Sequence, residues 1–252
     1  MTTRTAPKKA ARRKAPAKKK ATQRKAAPAK AATKTAKKKP DNVGAKQEIL
    51  VSAPNYSTLL LHIVGTGPLM VNAFSRRRQS EWQAQQEAGD AGKQRKKPKV
   101  GKDFDREYRE AKHVSSKGWE GVHAASFRNA MISACRVVGA TMTKAKLAIW
   151  TIEDGYDAQS AEPLVRLYGK PRMDIRPVRI KGTPDLRSRP LYESWKLKLK
   201  LEFDEDVFSL ESVYNLIVRA GAQVGIGEGR PDGKEGNGIG FGRFKVVNQK
   251  DW

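Results

Sequence analysis

The sharpest pattern in the chain runs from Trp195 to Phe203, where Trp195, Leu197, Leu199, Leu201 and Phe203 alternate with Lys196, Lys198, Lys200 and Glu202. A period of two sends the sets to opposite faces of a β-strand, one apolar and one charged. Residues 58–64 form a short apolar run closed by Gly65, Gly67 and Pro68, which predicts a buried strand. Phe127, Ala130, Met131, Ala134 and Val138 fall on one face at helical spacing, with Arg128, Asn129, Ser133 and Arg136 turned away, so a helix is expected over 126–138. Ser209 can cap a second helix that presents Leu210, Val213, Leu216, Ile217 and Ala220 inward and stops at Gly221. Strands are expected over Lys144–Ile152 and Phe241–Val247. Two stretches keep neither period. Residues 75–118 are polar and predict an insertion with at most short helices, and residues 153–194 are rich in Pro, Arg and Gly and predict irregular structure.

The order strand, helix, strand, strand, helix, strand is the split βαβ pattern. The expected fold is therefore α+β, with a ferredoxin-like core interrupted by two long insertions and preceded by a disordered basic arm. The arm covers residues 1–47 and the folded domain residues 48–252. Lys, Ala, Pro, Arg and Thr make up most of the arm, and Pro7, Pro16 and Pro28 interrupt any helix its alanines could start.

Charge adds a partner class. The 252 residues carry 51 Lys and Arg against 26 Asp and Glu, a net charge of +25. Residues 1–40 hold 16 of those bases and no acid, so the arm suits any polyanion, whereas the body is moderately basic, as a domain with one positive face would be. The arm resembles the tails of bacterial histone-like proteins. Cys135 is the single cysteine, which excludes an internal disulfide framework and a cysteine-rich metal site. No apolar run approaches the roughly 20 residues of a membrane span, and the N-terminus lacks the apolar core of a signal peptide. A soluble protein of the cytoplasm or nucleoid is expected (host cytoplasm if viral), with no membrane partner and no cofactor.

Within residues 162–189, Arg166, Lys170, Arg172, Arg176, Arg179, Lys181, Arg187 and Arg189 face only Glu162, Asp174 and Asp185, which suggests a phosphate-binding face. The Lys196, Lys198 and Lys200 face is equally consistent with protection of a solvated sheet. Trp82, Trp119, Trp150, Trp195, Tyr168 and Tyr192 could stack on unpaired bases; Trp150 and Trp195 are assigned to the core, and Trp119 is the better stacking candidate. Glycines alternate through residues 225–242, where bare amides and nearby Arg230, Lys234 and Arg243 could cradle phosphate, with Gly238 and Gly240 permitting close approach. The same segment also suits a plain connection between helix and strand.

Residues 236–244 (GNGIGFGRF) resemble the closing glycine motif of the RAMP superfamily, the repeat-associated mysterious proteins of CRISPR systems. Residues 121–131 (GVHAASFRNAM) resemble that family's strand-to-helix entry, without its proline and with Arg128 at its usual lysine. The Gly-Thr-Gly-Pro-Leu-Met start at residues 65–70 also looks like that of phage-type proteins. The resemblance implies a backbone subunit gripping single-stranded RNA or DNA, as a homo-oligomer or filament along it, with the insertions as thumb and palm. Its candidate contacts are Arg128, Arg136, Arg172, Arg176, Arg179, Lys181, Arg187, Arg189, Arg230, Gly238, Gly240 and Arg243. Some relatives cleave RNA with a histidine, but His62 sits in an apolar strand and reads as a core residue, and neither His113 nor His123 has a partner at fixed spacing. Non-catalytic binding is expected; a histone-like architectural DNA-binding protein and an RNA endonuclease are the alternatives.

Overall fold

The alternating segment from Trp195 to Phe203 becomes the C-terminal half of β8 (Thr183–Asp204), the strand around which the sheet is organised. On one side it pairs antiparallel with β1 (Tyr56–Gly65), which pairs in turn with β9 (Phe244–Val247). On its other side it pairs with β5 (Ile149–Ile152) and with β7 (Pro163–Ile180). The short β2 (Leu69–Met70) also pairs with β8, while β3 (His113–Val114), β4 (Glu120–His123) and β6 (Gly155–Tyr156) extend the sheet beyond or beside β7. The architecture is mixed α+β with an antiparallel sheet and five α-helices among the described residues.

This computed structural model describes residues 51–89, 101–180, 183–233 and 238–252; the expected arm, Lys181 and Lys234 lie outside them, as does the side chain of Arg179.

Two helices cover one face of the sheet. Helix α3 (Ala124–Val138) buries Phe127, Ala130, Met131 and Ala134, and α5 (Leu210–Arg219) buries Val213, Leu216 and Ile217. They pack on Leu61 and Ile63 of β1 and on Leu197, Leu199, Leu201 and Phe203 of β8. Ser209 caps α5, its hydroxyl accepting from the Ser212 amide at 3.3 Å. The helix does not stop at Gly221 but passes through a π-helical turn, Ala220–Val224, to Gly225. A side chain at Gly221 would run into the Phe244 ring. Trp195 is 2% exposed, and its indole donates to the Gly67 carbonyl at 2.8 Å. Truncating such a residue costs about 3–5 kcal/mol.

Four expectations are corrected. Residues 142–148 form helix α4 (Met142–Ala148), and only 149–152 is strand. Ala145 and Ala148, three apart, bury one helical face, which outweighs the apparent alternation around Lys144 and Lys146. Residues 163–180 and 183–194 are not irregular: they belong to the long, paired strands β7 and β8. Their prolines disguised them. Both strands of a two-stranded ribbon are edges, so amides turned outward are dispensable. Residues 75–118 include α1 (Arg76–Glu87), twelve residues long, as well as α2 (Phe104–Glu110). Helix α1 buries no residue and is instead supported by its Ser75 cap and by pairs such as Arg77–Glu81 at 2.7 Å. Finally, β9 begins at Phe244 rather than Phe241, because residues 241–242 bond back to Gly229 and Pro68.

Candidate nucleic-acid interface

Opposite the helices, the central sheet presents an open face built from the charged half of the β8 alternation. Register places Lys245 of β9, Val64 of β1, Lys196 of β8 and Tyr168 of β7 in one cross-strand row. The next row holds Val247, His62 and Lys198; another holds Leu60, Lys200 and Ile152. His62 is therefore not a core residue, since its side chain shares the lysine face. Trp252 folds onto the middle of that face. Its ring meets His62 edge-on at 5.5 Å and Tyr168 at 5.4 Å, with the Lys196 and Lys198 ammonium groups 4.4 and 4.7 Å from its centroid. Among the described residues, Lys196 and Lys198 have no carboxylate at ion-pair distance, whereas Lys200 reaches Asp154 at 3.6 Å. Cations beside aromatic faces and unspent on carboxylates are what a flexible polyanion with flat bases needs.

A cleft of about 760 Å³ adjoins this face, lined by Trp119, Arg166, Tyr168, Lys198, Lys200 and Asp154, among others. Trp119 is half-buried and seated on Gly121 and Gly155, where side chains would collide with its ring. The Arg166 guanidinium lies 5.1 Å from the Tyr168 centroid. The other stacking candidates divide. Tyr192 is buried and donates its hydroxyl to Glu120 at 2.5 Å, which removes it from any binding surface. Burial and that carboxylate push its phenol pKa well up. Trp150 is corrected in the other direction: it is 43% exposed, with the Arg128 guanidinium 3.9 Å above its ring.

The expected arginines do not form one surface. Arg128 donates to the carbonyls of Ile149 at 2.9 Å and Lys146, fastening α3 to the α4–β5 junction. Arg136 pairs with Asp232 at 2.5 Å. On the hairpin, Arg172 reaches Glu193 at 2.6 Å and Asp174 at 3.3 Å, and Arg176 pairs with Asp174. Arg187 lies opposite Arg176 and reaches Asp185 at 3.5 Å, while Arg189 pairs with Glu228 of the glycine-rich segment. The hairpin arginines are thus spent on pairs within each strand, on the cross-strand Arg172–Glu193 pair and on Glu228 of the glycine-rich segment. Charge counting along the sequence misses the carboxylates Glu193 and Glu228, which arrive from outside the counted window.

The glycine-rich segment is similarly occupied with its own fold. Ile226 donates to Gly242 at 3.0 Å, Glu228 to Met70 at 3.0 Å, Phe241 to Gly229 at 3.1 Å and Gly242 to Pro68 at 2.7 Å. Arg230 donates to the Gly227 carbonyl at 3.0 Å and Arg243 to that of Ala222 at 3.0 Å. Gly227 and Gly242 hold φ of 72° and 66° against the backbones of Met70 and Ile226. Gly238 and Gly240 differ, with positive φ but only ordinary contacts for a side chain, 4.0 Å from the Pro231 carbonyl oxygen and 3.9 Å from Arg243 Cδ.

Two histidines meet at a second place. His123, the residue preceding α3, and His113 on β3 lie with ring centroids 4.1 Å apart. Asp157 stands 3.5 Å from His113 Nδ1, and Glu162 pairs with His123 at 2.9 Å. Burial, with the neighbouring His123 second, pulls the His113 pKa down to about 4, so it is neutral at pH 7. Their partnership was invisible in sequence because Asp157 and Glu162 reach them through tertiary pairing. Among the described residues no group of three or more His, Cys, Asp or Glu could hold a metal ion, and no helix is long and apolar enough to cross a membrane. No family model matches the chain, and no curated protein matches its sequence.

Proposed function

We propose that this protein binds single-stranded nucleic acid along the open face of its sheet, without cleaving it. The observation that carries this is the lysine row of β8 interleaved with Tyr168 and Trp252. Phosphate attraction is independent of sequence and depends strongly on salt, while aromatic faces accept only bases that are already unpaired. A duplex hides its base faces and gains nothing from the rings.

The RAMP-like fold also belongs to this proposal. The strand sequence β9-β1-β8-β5, antiparallel throughout and backed by α3 and α5, supports a split βαβ core. The β7–β8 hairpin and the α1–α2 segment then stand as its two insertions. Arm residues 1–47 add a second, unselective polyanion contact that raises affinity for any strand.

The test compares the full chain, residues 48–252 and a Lys196→Gln/Lys198→Gln/Lys200→Gln variant on single strands and duplex over a salt series. Removing the arm should weaken binding to both ligands and flatten the salt dependence, because fewer counterions are released. The body alone should still prefer single strands. Replacing the three lysines should erase most of that residual binding, with a slope change of about 0.7 per lost phosphate contact on single strands. Equal affinity of the truncated body for duplex and single strand would overturn the proposal in favour of an architectural role.

A further inference from the structure

The cleft beside the lysine row combines three features that a strand-coating surface alone does not require. Trp119 is held in place from below: its ring rests on Gly121 and Gly155, where a Cβ would come within 2.9 Å of it. Tyr168 lines the same cleft, with the Arg166 guanidinium 5.1 Å from its ring centroid. Lys198 and Lys200 of β8 also line the cleft, whose volume is about 760 Å³. That volume lies within the range of small-ligand sites, about 300–1,000 Å³.

Gly155 is the informative one, because a Cβ there would meet Trp119 alone. Gly121 pairs with His113 and Arg166 at extended φ, where any residue fits the backbone. A Cβ there would come within 2.9 Å of both the Trp119 ring and the Val165 carbonyl oxygen. An indole that is half-buried on its seat is rigid, so it orders little on binding and loses little entropy. The cations have a matching arrangement. The single carboxylate lining the cleft, Asp154, is engaged by the Arg166 amide at 3.0 Å and by Lys200 at 3.6 Å, leaving Lys198 and the Arg166 guanidinium for an anion.

We infer that this cleft is a subsite for one nucleotide unit of the bound strand, its base stacked on Trp119 and its phosphate held by Lys198 and Arg166. The inference rests on the single-strand proposal above and adds a defined position to it. The lysine row tracks the backbone, and the cleft fixes where along the surface one base is withdrawn from solvent. Because stacking on an indole accepts any base, the subsite selects unpaired nucleotides rather than a sequence.

The experiment uses the full chain with a short oligodeoxythymidylate, the same strand with every base removed, and free thymidine monophosphate. The wild-type protein should bind the base-bearing strand about tenfold more tightly than the abasic one, about 1.4 kcal/mol, and should bind the mononucleotide far more weakly than either. In Trp119→Ala the preference for bases should shrink by several fold while abasic binding stays unchanged. Trp119→Leu keeps the apolar seat on the glycines filled yet removes the aromatic face, so it must lose the preference even if Trp119→Ala fails to fold. Trp119→Phe should retain most of it. An undiminished base preference in Trp119→Leu overturns the subsite and leaves the backbone track intact. Tighter binding of the mononucleotide than of the strand also overturns it, as a free-nucleotide site. Failure of the wild-type chain to bind either strand at low salt overturns the single-strand proposal itself.

Discussion

The indole N–H of Trp252 donates to the Leu197 carbonyl at 3.1 Å, fastening an aromatic ring across the strand that carries Lys196 and Lys198. Leu197 has its own side chain on the opposite, buried face, so one residue serves the core with its side chain and the open face with its carbonyl. Trp252→Ala loses that bond, about 1 kcal/mol, and the edge contacts with His62 and Tyr168, about 0.5–1.5 kcal/mol. A lower Tm is expected, together with a severalfold loss of single-strand affinity and a smaller effect on duplex. Calorimetry alongside fluorescence titration checks both.

A pH effect follows from His113. Its folded-state pKa of about 4 lies below the value of about 6.5 in an unfolded chain, so between those limits the unfolded state binds the extra proton. Stability is therefore fully present above about pH 6.5 and declines as pH falls toward 4, by at most about 1.4 kcal/mol per unit from this group. Asp157 and Glu162 face the pair and oppose the effect, whereas His123 reinforces it. His113→Gln should flatten the decline, measured as Tm from pH 7 to pH 4. An identical slope in the variant would assign the acid sensitivity to other groups.

The glycines of the 225–242 segment should separate into two kinds. Gly242→Ala must push a methyl into the Ile226 backbone at positive φ, and Gly227→Ala one into Met70, so both should lower Tm steeply. Gly238→Ala and Gly240→Ala meet neighbours only at ordinary contact distance and bear mainly the left-handed backbone cost, about 1–2 kcal/mol each. If residues 238–240 touch the strand, the second pair alone should reduce affinity per folded molecule. Affinity unchanged in that pair removes these residues from the interface.

The elements legible in sequence were those whose periodicity reports burial on one side. Trp195–Phe203, Phe127–Ala134 and Val213–Ala220 bury the residues their spacing selects, whereas Val138 and Leu210, selected by the same spacing at the helix ends, are exposed. What escaped notice lacks such a face. Helix α1 buries nothing, and the hairpin exposes Ile175 and Leu186 while interposing prolines. The lysine row was visible as a pattern, but its aromatic company was not, because Trp252 and Trp119 reach it from remote positions. Arg128 and Arg189 illustrate the converse. Each looked like a surface cation, and each is spent on a carbonyl or carboxylate that only tertiary structure supplies.

Strand β8 is long enough to pair with the hairpin at one end and with the first strand of the sheet at the other, where Asn55 meets Asp204 across 149 residues. During synthesis the apolar residues of β1 consequently leave the ribosome with no partner. At about 5–20 residues per second, roughly 7–30 s pass before β8 follows. For that interval Leu59–Val64 is an unpaired, sticky segment, preceded in the chain by residues 1–47 with their dense positive charge. Repulsion between like-charged segments of this kind opposes contact between nascent chains.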